Sequence, residues 1–278
     1  MNNDNKIMER LREHYDAALQ LFPADRIVGI FLYGSQNYGL DTPESDIDTK
    51  CIIVPTFDDI CFNRKPVSYT HVRANDEHIE FKDVRLMLNE FRKQNMNFVE
   101  ILFTKYCVVN PLYADAWNRL TAEKEMVAHY NPVLTAVKMA GMAMQKRKAL
   151  THPYPSKLEV LAKFGYDPKQ IHHIYRIERF LRDYIAGKSY AESMIPGPLY
   201  APYLYEVKAG ALTLEQALAE ADKMMTIIDA LVEEFKKTGR NESDPRVDDL
   251  IDQTQKDIML IALTRELAKM KTDEKKEE

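Results

Sequence analysis

Two short stretches of the chain place side chains suited to holding a divalent cation beside a phosphate. In Ser45-Asp46-Ile47-Asp48 two carboxylates stand two residues apart. On an extended strand residues i and i+2 project from one face, so Asp46 and Asp48 lie side by side while Ile47 faces the core. Adjacent carboxylates repel, and without a cation one of them is driven to take up a proton. A hard divalent ion, Mg2+ or Mn2+, removes that conflict. Mg2+ commonly uses one or two carboxylates and completes its shell with water and substrate phosphates. Where a phosphoryl group is moved, two ions about 3.5–4 Å apart stabilise the attacking and leaving oxygens. That arrangement calls for a third carboxylate, and Glu80 in His78-Ile79-Glu80-Phe81-Lys82 is the best candidate. Alternation turns Ile79 and Phe81 inward and puts His78, Glu80 and Lys82 on the other face. Asp76 and Glu77 read as turn residues, and Asp83 as a helix N-cap.

The second stretch is Phe31-Leu32-Tyr33-Gly34-Ser35, an apolar run ending in Gly-Ser, with ten residues between Ser35 and Asp46. Gly34 has no side chain and lets the backbone come close to a ligand. Ser35 stands where a turn aims backbone N–H groups outward, which with its hydroxyl suits a phosphate. A lone Asp-x-Asp usually marks a solvated or turn-forming pair, and a lone Gly-Ser says nothing. The ordered combination carries the reading: strand, Gly-Ser, ten residues, Asp-x-Asp opening a second strand, and a carboxylate on a later one.

These residues need elements to position them. Apolar spacing predicts a helix over about Lys6–Phe22, stopped by Pro23. Strands are expected over Arg26–Tyr33, Ile47–Val54, Val67–Arg73 and His78–Lys82, the last two joined by a turn through Ala74-Asn75-Asp76-Glu77. Beyond Asp83 the chain reads as helical: Asp83–Lys93, Tyr113–Met126, Pro132–Leu150, Asp167–Ala186, Leu214–Lys237 and Arg246–Lys271. The class is therefore α+β, with a core over 1–110, a helical region over 111–270 and a charged tail over 271–278 expected to fray.

One later helix carries cations. Asp167 and Pro168 suit its N-cap and first position. Lys169, His172, His173 and Arg176 then fall at i, i+3, i+4 and i+7 and share a face, opposite Ile171, Ile174, Ile177 and Leu181. A solvated basic face is the plain reading. The alternative is a wall for a triphosphate, served by Lys169, His173 and Arg176. His172 and His173 are neighbours on a helix and do not converge on one ion. Of the other cations Lys82 ranks first, sharing a strand face with Glu80. Trp117, Tyr175 and Phe180 read as core.

Composition bounds the rest. Of 278 residues, 45% are hydrophobic and 29% charged, ordinary for a globular protein, and the net charge of −5 gives no bulk basic character. Any nucleic acid would be held by a local patch. Cys51, Cys61 and Cys107 lie far apart, without zinc or redox spacing, which suits a reducing cytoplasm. Neither a signal peptide nor a run of about 20 apolar residues is present, so a cytoplasmic protein with no membrane span is expected.

At Tyr33-Gly34-Ser35 and Ser45-Asp46-Ile47-Asp48 the chain resembles the DNA polymerase β superfamily of nucleotidyltransferases. The stretch from Tyr33 to Asp48 looks specifically like the predicted nucleotidyltransferases associated with RNA repair. Asn97-Phe98-Val99-Glu100-Ile101-Leu102-Phe103 and the segment from Gly165 to Arg176 resemble later parts of that subfamily, though a proline usual in the first is missing. The resemblance spans roughly residues 26 to 182. It implies a small mixed sheet with flanking helices and a helical half over the nucleotide. It implies transfer of a nucleoside monophosphate from an NTP to a hydroxyl on an RNA end, a tRNA or a protein, with release of pyrophosphate. By analogy Asp46 and Asp48 bind both metals, and Glu80 binds the catalytic one and assists deprotonation of the acceptor. Two other readings share the residues: a non-catalytic nucleotide-binding module, and an antitoxin-like module that binds or modifies a partner protein.

Overall fold

The computed structural model describes residues 3–42 and 45–277, with side chains described as far as 272. The chain begins with α1 (Asn3–Leu19), whose Ile7, Leu11 and Ala18 point inward. The central strand β1 (Ile27–Tyr33) is buried along almost its whole length, as its unbroken apolar run demands. It leads into the single turn α2 (Ser35–Tyr38). Then come β2 (Asp48–Ile53), α3 (Phe57–Cys61), β3 (Ser68–Val72), β4 (His78–Asp83), α4 (Val84–Arg92), α5 (Met96–Val99) and β5 (Cys107–Val109).

The five strands form one mixed sheet in the order β3-β4-β2-β1-β5. β1 runs antiparallel to β2 and β5, and β3 antiparallel to β4. β2 and β4 are parallel, with Lys50 opposite Glu80. Residues of α1 pack with Ile30, Leu32, Cys51, Ile53, Ile79 and Phe81 in one apolar cluster. The alternation read from His78 to Lys82 is the one found: Ile79 and Phe81 are fully buried, while His78, Glu80 and Lys82 are less so.

The rest is helical: α6 (Ala114–Ala122), α7 (Lys124–Ala128), α8 (Pro132–Ala149), α9 (Leu158–Phe164), α10 (Pro168–Ile185), α11 (Tyr190–Met194), α12 (Ala201–Lys208), α13 (Leu214–Thr238) and α14 (Pro245–Glu277). The class is α+β, a small mixed sheet with flanking helices followed by helices. The single helix expected over Tyr113–Met126 is two. Glu123 donates its N–H to Leu120 O at 3.2 Å, a tightened last turn that closes α6. The last residue of α10 falls one short of the expected Ala186, and its N-cap is Asp167, whose side chain accepts from Lys169 N.

Two compact units are distinguished: Met1–Asn37 with Pro43–Val127 and Asp244–Glu278, and Tyr38–Thr42 with Ala128–Ser243. The sequence reading puts 111–270 in one helical region. In the structure α14 belongs instead to the first unit. Its acidic residues meet arginines there: Arg92 binds Asp248 and Asp252, and Arg119 binds Asp257. Glu266 accepts from the N–H of Phe57. For the tail at 271–278, the backbone of α14 continues to Glu277, and side chains from 273 onward lie outside the described residues. No helix among the described residues is long and apolar enough to cross a membrane.

Candidate active site

β1 ends at Tyr33, and the chain turns at Gly34 with φ +108°, a conformation that favours glycine. Side chains then hold the turn in place. Asn37 donates to Leu32 O at 3.1 Å and accepts from Thr104 Oγ1 at 2.7 Å. Gln36 Nε2 donates to the carbonyl of Asp46 at 2.8 Å, tying the Gly34-Ser35 turn to the first aspartate. Tyr33, the last residue of β1, pairs with Asp48, the first of β2. The Gly-Ser turn and the Asp-x-Asp stretch thus lie at the same end of two adjacent strands.

Asp46 precedes β2 rather than lying in it, yet the alternation continues through it. Asp46 is exposed, Ile47 is fully buried, and Asp48 is one-third exposed. Asp48 Oδ1 accepts from the backbone N–H of His78 at 3.1 Å and lies 3.0 Å from His78 Nδ1.

The residue that organises this segment is Glu77, which the sequence reads as part of a turn. It is 1% exposed. Glu77 Oε1 accepts from the N–H of Ile47, between the two aspartates, at 3.0 Å. The same carboxylate binds Arg10, Arg73, Asn75 and His14. Arg10 also reaches Ser45 O at 3.2 Å. His14 is wholly buried between Glu77 and Thr49 Oγ1, and burial, followed by the charges of Arg73 and Arg10, pushes its pKa down to about 4. A neutral imidazole in that place donates from Nε2 to Glu77 and accepts from Thr49 at Nδ1. Arg73 and Asn75 are near it in the chain, but Arg10 and His14 of α1 and the N–H of Ile47 are not, so no local pattern signals that Glu77 is buried.

Glu80 is on β4, and the structure pairs it with lysines. Lys50 Nζ lies 2.5 Å from Oε2, and Lys82 Nζ lies 3.3 Å from Oε1. Lys50 is 2% exposed and held between the rings of Tyr33 and Phe98, 3.9 and 4.1 Å from their centroids. Burial lowers the Lys50 pKa and the Glu80 charge opposes that shift. Burial likewise raises the Tyr33 hydroxyl, with the charges of Asp48, Glu80 and Glu100 adding to it. Lys82 stands 4.3 Å over Phe98.

For a divalent ion the fit is uneven. The two aspartates offer the hard oxygens that Mg2+ takes, although Asp48 Oδ1 already meets His78. Glu80 does not fit as a third ligand in this arrangement, because each of its oxygens faces an ammonium. Among the described residues no group of three or more His, Cys, Asp or Glu side chains is placed to hold a metal ion.

Gly34, Ser35, Asp46, Asp48, Glu80 and Lys82 all belong to the first unit, and Lys169, His173 and Arg176 to the second. The basic helix is less solvated than a polar face. Lys169 is exposed, but His172 is 4% and Arg176 5% exposed, and His173 is half-buried. His172 Nδ1 donates to Leu204 O at 3.0 Å. Burial, partly offset by that bond, lowers the His172 pKa to about 4, with Arg176, Lys208 and Lys169 adding to the fall. His173 is lowered well below its ordinary value by burial, then by Arg176 and Lys146.

No family profile matches the chain, and no curated protein does. Among solved structures the chain is similar to a nucleotidyltransferase-like protein from Exiguobacterium sibiricum, at 11% identity over 82% of this chain and 75% of that one, with a TM-score of 0.30.

Proposed function

We propose that the chain is a metal-dependent nucleotidyltransferase that moves a nucleoside monophosphate from an NTP to a hydroxyl acceptor and releases pyrophosphate. One observation supports this above the rest. The Gly34-Ser35 turn and Asp46-Ile47-Asp48 share one end of the β1–β2 pair, joined by the Gln36–Asp46 hydrogen bond. The resemblance of these stretches to RNA-repair-associated nucleotidyltransferases makes an RNA end the first acceptor to try, with a tRNA or a protein hydroxyl next and the cytoplasm as the setting.

Asp46 and Asp48 supply the oxygens for Mg2+ or Mn2+. When bound, such ions neutralise phosphate charge and steady the attacking and leaving oxygens. Gly34 lets the backbone approach the nucleotide, and Ser35 offers its N–H and hydroxyl. Glu80 lies on β4, one strand away from Asp48. Its role as third carboxylate, binding metal and taking the acceptor's proton, requires Lys50 and Lys82 to release an oxygen. Lys82 is then free for a phosphate. Lys169, His173 and Arg176, which lie in the second unit, are proposed separately to bind nucleotide.

The test is label transfer. The protein is incubated with each α-labelled NTP, Mg2+ or Mn2+, and total RNA or cell lysate. Labelling that disappears in Asp46→Ala/Asp48→Ala supports the reading, and labelling equal in both proteins removes it.

The lysine pairs on Glu80 favour a second reading, a nucleotide-binding or partner-binding module without catalysis, since they already neutralise the third carboxylate. Calorimetric NTP binding with no pyrophosphate released over a long incubation would select it. A nucleotide mass on a co-purifying protein would select a transferase acting on a partner.

A further inference from the structure

Both bonds that His78 makes to Asp48 fall on the same carboxylate oxygen. Asp48 Oδ1 accepts from the backbone N–H of His78 at 3.1 Å and lies 3.0 Å from its ring Nδ1. An ionised carboxylate only accepts, so the neutral imidazole carries its proton on Nδ1 and donates it there. The pairing of β2 with β4 begins at Thr49 and Ile79, and His78 stands just before it, beside the last aspartate of the Asp-x-Asp stretch.

The strands have other means of holding their place. Ile47 and Ile79 are fully buried, Glu77 takes the N–H of Ile47, and β4 is paired on both sides. The Asp48 and His78 side chains are 33% and 42% exposed, and a contact this open to water adds little stability. What it changes is the freedom of the carboxylate. With two donors on Oδ1 the side chain is held, and Oδ2 is the oxygen left for an ion. Glu77 then fixes the backbone between the aspartates, and its neighbour His78 fixes the second carboxylate. Carboxylates that ligate a metal keep their aim through such hydrogen bonds, and losing one typically costs roughly 10–100-fold in affinity.

We propose that His78 is a positioning residue for the transfer site, holding Asp48 by Oδ1 so that Oδ2 meets the divalent ion. The inference rests on the reading of Asp46 and Asp48 as the metal-binding pair. His78 is not itself a ligand of that ion: Nδ1 is committed to Asp48, and Nε2 lies on the other side of the ring. Its part is to set the direction of the carboxylate before the ion arrives, so that binding does not have to order a freely turning side chain.

Titration of the full chain with Mn2+ in the absence of nucleotide, followed by electron paramagnetic resonance, tests this. His78→Ala keeps the backbone bond, loses the ring bond and weakens Mn2+ binding about tenfold or more. His78→Asn places an amide N–H close to where Nδ1 was and recovers most of the affinity. Both variants melt close to the wild type, because the pair is exposed. In the metal-free protein, nitrogen NMR finds the proton of the neutral His78 ring on Nδ1. Three outcomes would overturn the proposal: His78→Ala binding Mn2+ as tightly as the wild type or more tightly, His78→Asn binding no better than His78→Ala, or a neutral ring with its proton on Nε2. Each of these leaves the metal-binding reading standing as long as Asp48→Asn loses Mn2+. A wild type that binds no Mn2+, or an Asp46→Asn/Asp48→Asn variant that binds it equally well, removes that reading and this inference together.

Discussion

Lys50 Nζ sits 2.5 Å from Glu80 Oε2, the two residues facing each other in the parallel register of β2 and β4. The pair is unequal: Lys50 is 2% exposed and Glu80 23%. Removing the carboxylate strands a buried ammonium, while removing the ammonium leaves Glu80 with Lys82 and some water. Glu80→Ala is therefore predicted to cost about 3 kcal/mol and Lys50→Met clearly less. Urea unfolding of both variants and the double variant checks this. The double variant should lie nearer Lys50→Met than the sum of the two.

Glu77 is the second prediction. Its carboxylate gathers Arg10, His14, Arg73, Asn75 and the N–H of Ile47. Glu77→Ala leaves those donors facing a void and is expected to destabilise by about 3 kcal/mol. It also frees the backbone between Asp46 and Asp48. Divalent-ion affinity, measured by Mn2+ titration below the melting range, should fall with it. Unchanged Mn2+ affinity would detach Glu77 from the site.

A third prediction concerns the turn. Gly34 has φ +108°, and a Cβ built there meets only Gln36 Oε1 at 3.9 Å, so backbone strain alone opposes a side chain. Gly34→Ala should cost about 1–2 kcal/mol in thermal unfolding. Asn37→Ala, which deletes the bonds to Leu32 and Thr104, should cost about 1 kcal/mol.

Acid should weaken the second unit through His172. Burial lowers its folded pKa to about 4, below the ordinary value of 6.5. The unfolded chain therefore takes up the proton first as pH falls. The stabilisation is complete above about pH 6.5 and is lost as pH drops from there towards 4, amounting to at most about 3 kcal/mol. His14 acts in the same direction in the first unit. Unfolding free energy against pH should flatten between 6.5 and 4 in His172→Gln. An unaltered slope would show that His172 does not titrate this way.

The strands were legible because their signals are local. An apolar run marks β1, and the alternation around Glu80 marks β4. The caps Asp83 and Asp167 were legible for the same reason. Glu77 and Lys50 were not, because each gains its role from a partner far along the chain. A buried Glu in a polar turn and a buried Lys on a strand look like surface residues until the sheet brings their partners to them. β5, three residues long, is too short to show a period. The membership of α14 in the first unit depends on long-range contacts, its buried Val247, Ile251 and Ile258 and its ion pairs to α4 and α6 among them, that no spacing rule encodes.

The central claim is that Asp46 and Asp48 serve nucleotidyl transfer, and pyrophosphate release tests it most directly. Wild-type protein with NTP, Mn2+ and an RNA end should release pyrophosphate in step with incorporated label. Asp46→Asn and Asp48→Asn should each abolish both signals, and Asp46→Asn, lying exposed before β2, should leave the metal-free melting temperature unchanged or slightly raised. Release that persists in both variants, or Asp46→Asn protein that is inactive only because it has unfolded, would contradict the account.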